Sequence, residues 1–479
     1  MMKQFKRYIS LLWISVALLA VTALSSCIED GITTSASDQP TFSTDTLRMG
    51  DMLTLGASPT SRFVVYNNHD KILNISQISF RDDDAQQFRM NVDGISGRSF
   101  NNIEIRPNDS IFVFVEATLA ENGSNLPVEV LTHIDFVVNG VTSTMPVSAK
   151  GQDVTRLSGE TVYTSDTTFS ADKPYLVSGN ITVEEGATLT IPAGAKLMMH
   201  DSAELIVNGS LRIEGTVEKP VEIVGDRTGY VASTIPYEVM SGQWRGIYFN
   251  STSANNYIAN ASIRNSEEGL VLDRLGGSVE QPALTIINTV VRNTKGYIIE
   301  AIHSSLTAIG CVFADASYGV LRLVGSEHVI NQCTLSNNYL FTAIGGPALQ
   351  FEHIDPNDGT NDPDDADLPW LAADISNTII YGLGTDLSHG DLDGFPVTLR
   401  NCLLKSAGTD DSNFINCLWD SDPIFNVDRE TYLFDYRVSA DSPALNAGDP
   451  GLLLPAAATD LLGTSRLPLP TLGAYQSPY

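Results

Sequence analysis

Positive charge is scarce in this 479-residue chain: 28 Lys and Arg stand against 57 Asp and Glu, a net of −29. That balance argues against a nucleic-acid partner, because phosphate backbones are held by Lys and Arg, and it disfavours unassisted binding of polyanionic sugars. Cysteine is nearly as sparse. Only Cys27, Cys311, Cys333, Cys402 and Cys417 occur, with no CxxC pair and no Cys/His spacing suited to zinc. Helical periodicity is almost missing after the first two dozen residues. What remains is too long for one compact core, so two domains or an elongated repeat are expected.

The first residues hold most of the chemistry that a sequence alone assigns. Lys3, Lys6 and Arg7 form a basic start, and Ile9 to Leu24 is apolar except for Ser10, Ser15 and Thr22. Ser25, Ser26 and Cys27 follow. A basic n-region, an apolar h-region and small residues at a cut site are the marks of a secretory signal, and the run is short for a transmembrane helix. Small residues with Cys at the plus-one position resemble the lipobox of bacterial lipoproteins. The resemblance implies a signal peptide over 1–26, acylation of Cys27 and attachment to a lipid bilayer. Glu29 and Asp30 resemble part of a surface-export signal of Gram-negative lipoproteins. An outer-membrane protein facing the cell surface is therefore expected over one facing the periplasm. Residues 27–44, rich in Ser, Thr, Asp and Pro, read as a flexible tether.

From 45 to 153 short alternating runs recur, such as Arg62-Phe63-Val64-Val65-Tyr66 and Ile111-Phe112-Val113-Phe114-Val115, separated by turn residues. Asn139-Gly140 between Val138 and Val141 is a strong hairpin signal. This pattern resembles the Ig-like module often placed before solenoids in exported bacterial proteins, and predicts a β-sandwich.

From 154 to 479 the texture changes to strands of three to five residues ended by Gly, Asn or Pro. Asn260-Ala261-Ser262-Ile263, Asn288-Thr289-Val290-Val291, Gly310-Cys311-Val312-Phe313, Gln332-Cys333-Thr334-Leu335, Asn377-Thr378-Ile379-Ile380 and Asn401-Cys402-Leu403-Leu404 align as a repeat of about 22 residues. The 45-residue step from Cys333 to Thr378 reads as two turns plus an insertion. Three short strands per turn suit a parallel β-helix whose rungs stack about 4.8 Å apart. The leading Asn suits a bend in the left-handed region. The small or sulfur residue after it is expected to point inward, so these cysteines read as core thiols rather than disulfides. The fold class expected is all-β: an Ig-like sandwich followed by a right-handed parallel β-helix.

The solenoid segment resembles the pectate-lyase-like β-helix superfamily. Its end adds Asp441-Ser442-Pro443-Ala444-Leu445-Asn446-Ala447-Gly448-Asp449, then Asp460-Leu461-Leu462-Gly463-Thr464-Ser465-Arg466 and Gly473-Ala474-Tyr475-Gln476. These resemble the closing signature of choice-of-anchor β-helix surface proteins. The segment is expected to cap the last rung, with Asp460 and Arg466 as a structural ion pair.

Candidate chemistry is diffuse. Asp355, Asn357, Asp358, Asp362, Asp364 and Asp365 crowd an insertion around Gly359 and offer oxygen ligands for Ca²⁺; a solvated acidic loop is the alternative, and the spacing does not fit an EF-hand. His389-Gly390-Asp391-Leu392-Asp393-Gly394 is expected near it on the next rung. Glu267, Glu268 and Asp273, with Arg264, Arg274 and Arg245 nearby, are the candidates for acid–base work, though none matches a catalytic motif of the superfamily. Trp244, Tyr248, Trp370 and Trp419 are candidate sugar platforms or core residues. The reading that follows is a non-catalytic lipoprotein whose β-helix binds a glycan or an envelope protein. A polysaccharide lyase or glycoside hydrolase of the same superfamily is the alternative.

Overall fold

The computed structural model describes residues 31–81, 86–231, 234–353 and 371–479. Cys27, the six calcium candidates and Trp370 lie outside the described residues. The chain divides into two compact units, one ending at Asp153 and one beginning at Val154.

The first unit is a sandwich of two five-stranded sheets. Sheet I runs Thr41–Phe42, Ser61–Asn67, Asp109–Ala117, Phe88–Val92, Ile95–Gly97 in spatial order, and sheet II runs Leu47–Leu53, Val141–Gln152, Val128–Val138, Leu73–Phe80, Ser99–Ile105. Period-2 alternation turns Phe63, Val65, Val113 and Val115 of sheet I inward against Ile75, Ile134, Phe136 and Met145 of sheet II. Phe63 and Phe136 meet edge to face at 6.1 Å. Asn139 (φ 51°) and Gly140 (φ 77°) make the tight hairpin between paired Val138 and Val141, as their sequence predicts.

One expectation fails here. The segment after residue 31 is not a free tether. Ile32 bridges to Ile72, Thr41–Phe42 pairs with Tyr66 and Val65, and Phe42 packs on Phe136 at 5.0 Å. Gln39 donates to the Val138 carbonyl at 3.2 Å. Its polar composition reflects side chains that bond backbone groups of the sandwich rather than a lack of structure.

The second unit is a right-handed parallel β-helix of three sheets. Sheet X has ten strands from Thr155–Ser158 to Leu403–Leu404, sheet Y nine from Thr161–Tyr163 to Leu387–His389, and sheet Z ten from Thr167–Thr168 to Phe414–Ile415. Each coil but the last takes one strand from each sheet; the last has none in sheet Y. Inward residues stack by type: Leu270, Ile299, Leu321 and Leu349 along Y, and Ile258, Ile286, Ala308, Ile330 and Ile375 along Z.

The aligned repeat falls wholly on the Z-to-X corner. Asn260, Asn288, Gly310, Gln332, Asn377 and Asn401 all have positive φ, from 42° to 67°. The next residue solves a specific problem. Its side chain accepts the backbone N–H of its counterpart one coil earlier: Ala261 to Thr289 Oγ1 at 3.3 Å, Cys311 to Cys333 Sγ at 3.4 Å, Cys333 to Thr378 Oγ1 at 3.3 Å. The same atom donates back to the carbonyl two residues before it, as in Thr289 to Ile287, Cys311 to Ile309 and Thr378 to Ser376. Thr and Cys thus do one job, and Cys311, Cys333 and Cys402 are free and fully buried. Burial pushes the Cys311 and Cys402 thiols far up, which leaves them unreactive. Cys417 is also free but only partly buried.

Two further corrections concern spacing and the end of the chain. The 45-residue step is one coil, not two: Thr334–Asn337 pairs directly with Ile379–Gly382, and excursions within that coil lengthen it. The C-terminal segment does not cap the last rung. Leu418 bridges to Leu403 there and Trp419 packs on Phe414 at 5.0 Å. The segment from Phe425 instead lies along the outer face of sheet X, over the row Val312, Ile379 and Leu403. Arg292 donates to Phe434 O at 3.2 Å, Asn377 to Asp449 O at 3.0 Å, Asn401 to Ala447 O at 2.8 Å, and Gly473 N to Asn377 O at 2.9 Å. A Cβ on Gly473 (φ 87°) would meet Thr334 Oγ1 at 2.6 Å, so only glycine permits this approach.

Asp460 and Arg466 are both fully buried, but no ion pair joins them among the described residues. Asp460 accepts three backbone N–H bonds, from Leu462, Thr464 and Gln476 at 2.7–2.9 Å. Arg466 donates to Gln332 Oε1 at 3.0 Å, Gly473 O at 3.1 Å and Ala474 O at 2.7 Å. Desolvation lowers the Arg466 pKa to about 10, still charged at neutral pH. Arg466 ties the docked segment to the coil at Gln332, and Asp460 fixes the fold of the segment itself.

Candidate functional site

The outer row of sheet Y concentrates the charge. Ile299-Glu300-Ala301, Leu321-Arg322-Leu323 and Leu349-Gln350-Phe351 each place one polar residue between two inward apolar ones. Register puts Tyr248, Val271, Glu300, Arg322, Gln350 and Ser388 in one column. Arg322 sits between carboxylates, 2.7 Å from Glu300 Oε1 and 2.9 Å from Glu352 Oε2. Its side chain is 6% exposed, theirs 23% and 20%. Tyr297 donates to Gln350 Oε1 at 2.7 Å, and Gln350 donates to Glu352. The ring of Tyr297 meets the half-exposed Tyr318 edge to face at 5.1 Å.

Glu268 joins this row at the X-to-Y corner. A Cβ on Gly296 would come 1.8 Å from its Oε2, so the carboxyl lies directly on that glycine. No hydrogen bond or ion pair reaches the Glu268 carboxyl among the described residues. Burial first, then the charges of Glu300 and Glu267, raise its pKa above the ordinary carboxylate range. Burial also raises the Tyr248 phenol, against the opposing pull of Arg245.

The sequence candidates separate. Glu267, Glu268, Arg245 and Tyr248 gather here, with Lys295 3.2 Å from Glu267. Arg264 belongs to sheet X and pairs with Glu238 at 2.6 Å. Asp273 and Arg274 are exposed at the register irregularity within strand Leu270–Gly276 and pair with each other at 3.4 Å. Trp244 is a core residue, donating to Arg264 O at 2.9 Å. The Glu300–Arg322–Glu352 row was missed. Its signal was a charged residue between apolar ones in Ile299-Glu300-Ala301 and Leu321-Arg322-Leu323, but only register reveals that these and Glu352 are neighbours.

At the end of sheet Y, a cavity of about 410 Å³ is lined by Phe351, Glu352, His353, His389, Asp391 and Phe395, among others. It brings the 389–394 loop beside the strand that precedes the acidic insertion. No grouping of three His, Cys, Asp or Glu suited to a metal occurs among the described residues.

Residues 161–281 match the family described as a pectate-lyase-like beta-helix domain; the match runs from the first coil into the fifth. No curated protein matches the chain. Among solved structures, a family 123 glycoside hydrolase from Clostridium perfringens, described for glycolipid glycan hydrolysis, is 10% identical over 24% of this chain, with a TM-score of 0.18. The match spans 26% of that enzyme's length, and a likeness of this size carries no argument.

Proposed function

We propose that this protein is an exported lipoprotein, acylated at Cys27 and displayed on the outer membrane, that carries its β-helix on an Ig-like sandwich and binds a neutral glycan along the outer row of sheet Y. An envelope protein is the other occupant that this face suits. The observation that carries the reading is the Glu300–Arg322–Glu352 row. Arg322 holds both carboxylates in place as acceptors, which suits them to sugar hydroxyls. Gln350, Tyr297 and Tyr318 add an amide and aromatic surface. The acidic surround favours uncharged sugars over polyanionic ones.

A second reading, a hydrolase, is favoured by Glu268 alone: an unpaired carboxyl with raised proton affinity is suited to a general acid. Both readings are tested by offering the chain from Ile28 onward a panel of neutral polysaccharides. Retention on a glycan that is lost in Arg322→Ala, with no new reducing ends, supports binding. Release of reducing ends that stops in Glu268→Gln overturns the non-catalytic reading. For the anchor, metabolic labelling with a fatty-acid analogue should mark the wild-type chain and not Cys27→Ser; label on the variant would end that assignment.

A further inference from the structure

The outer face of sheet I in the sandwich holds a second arrangement that the solenoid reading leaves unused. Alternation that sends Phe63 and Val113 inward leaves Arg62, Phe112, Phe114 and Glu116 on the other side. Phe112 is 44% exposed. Its ring lies 6.1 Å from that of Phe114 with the planes inclined by 30°, and the Arg62 guanidinium sits 5.4 Å from the Phe112 centroid. Register sets Phe114 opposite Asn91, and Glu116 opposite Arg89.

Between these strands is an open cavity of about 280 Å³ lined by Thr60, Arg89, Asn91, Ser96, Phe114 and Glu116, with Met90. Its polar groups are already positioned. Glu116 accepts from Thr60 at 2.5 Å and from Arg89 Nε at 2.6 Å, and Asn91 donates to Ser96 Oγ at 3.1 Å. The hydrogen bonds from Thr60 and Arg89 hold the Glu116 carboxyl below its ordinary range. It stays ionised, and Arg89 cancels its charge. The cavity therefore has one aromatic wall and a rim of hydroxyl, amide and paired ionic groups with no net charge. A pyranose has the complementary surface: an apolar C–H face and a periphery of hydroxyls. The volume is at the lower limit of small-ligand pockets, about 300 Å³, which suits one ring rather than a long chain.

We propose that the sandwich binds a single neutral pyranose unit in this cavity, with its C–H face against Phe114 and its hydroxyls on the Asn91, Ser96 and Glu116 rim. No residue is shared with sheet Y of the solenoid, so either site stands if the other fails.

The test is saturation-transfer NMR on the chain from Ile28 onward, with methyl glycosides of glucose, galactose, mannose and N-acetylglucosamine as probes. At least one glycoside should receive saturation through its ring C–H protons. Phe114→Leu keeps an apolar side chain but removes the planar face, and should weaken that binding about tenfold. Asn91→Ala should weaken it as well. Arg322→Ala on the solenoid should leave it unchanged. Unchanged melting of the Phe114→Leu chain separates lost stacking from lost fold. Absence of saturation with all four probes would overturn the proposal. So would equal binding by Phe114→Leu, or concentration-dependent self-association that Phe112→Ala abolishes, which would assign the face to a second copy of the chain.

Discussion

The two units answer one question in opposite ways: where does the polar side chain at a turn go? In the sandwich the strands reverse, so turns such as Asn139-Gly140 lie at the sheet ends, where Gly140 is exposed and the partly exposed Asn139 donates to Ser35 O at 2.9 Å. In the solenoid every corner is stacked on the corner of the next coil. Asn288, Asn377, Asn401, Thr289 and Thr378 are all buried. A buried amide must be hydrogen-bonded, so the corners form ladders: Asn401 donates to Asn377 Oδ1 at 3.1 Å and Asn416 to Asn401 Oδ1 at 2.5 Å. The sandwich rests on apolar contact between two sheets. The solenoid adds to its apolar core a set of buried polar columns, hydrogen-bonded along much of their length, with Asn288 Oδ1 and Gln332 Nε2 left unpaired among the described residues.

That contrast sets the order of expected effects. Tryptophan fluorescence reads the solenoid selectively, because residues 31–153 contain no Trp. Arg466→Ala should have the largest effect. It strands three buried acceptors, and the solenoid transition should lose about 3–5 kcal/mol in denaturant, whereas sandwich amides keep their hydrogen-exchange protection. A loss under about 1 kcal/mol would show that the docked segment is dispensable. Next comes Asn377→Ala, which combines left-handed backbone cost with lost buried hydrogen bonds, about 2–3 kcal/mol in all. Asn139→Ala at the hairpin tip should cost about 1 kcal/mol; equal costs for the two would break the contrast.

A subtler test distinguishes packing from hydrogen bonding within the corner column. Cys333→Thr keeps an acceptor for the Cys311 N–H and should change stability by less than about 1 kcal/mol, whereas Cys333→Val fills the space but leaves that amide unpaired, costing about 1–3 kcal/mol. Similar values for both would reduce the column to shape alone. The last test concerns pH. His328 is fully buried, with Nε2 2.7 Å from Gly325 O, and desolvation lowers its pKa from 6.5 to about 4. Unfolded chains take up that proton first. The contribution of neutral His328 is full above pH 6.5 and is lost as pH falls through about 4. The solenoid transition of His328→Asn should therefore be flatter across this window than that of the parent; parallel pH profiles would remove His328 as the cause.

Much of the solenoid was legible in the sequence because its causes are local. The left-handed corner selects Asn, the buried N–H behind it selects Thr or Cys, and both recur once per coil. The hairpin at Asn139-Gly140 was legible for the same reason. The failures are non-local. Nothing near Thr41 announces that its strand pairs with Tyr66, and nothing near Gly473 announces Thr334 as its neighbour. The ion-pair row at Arg322 was hidden in the same way. Glu300 and Glu352 lie 22 and 30 residues from it in sequence, and only the lengths of the intervening turns bring them to one face.

The lateral docking of the C-terminal segment has a consequence for how the molecule is completed. The coils follow one another in chain order, but Val312, Ile379 and Leu403 wait on residues that come after the last coil. A chain terminated before Phe425 would have the strands for every coil and still display a greasy stripe along sheet X. Covering that stripe falls to residues 425–479, so the outer face of sheet X is finished only by a segment that has no strand in any coil.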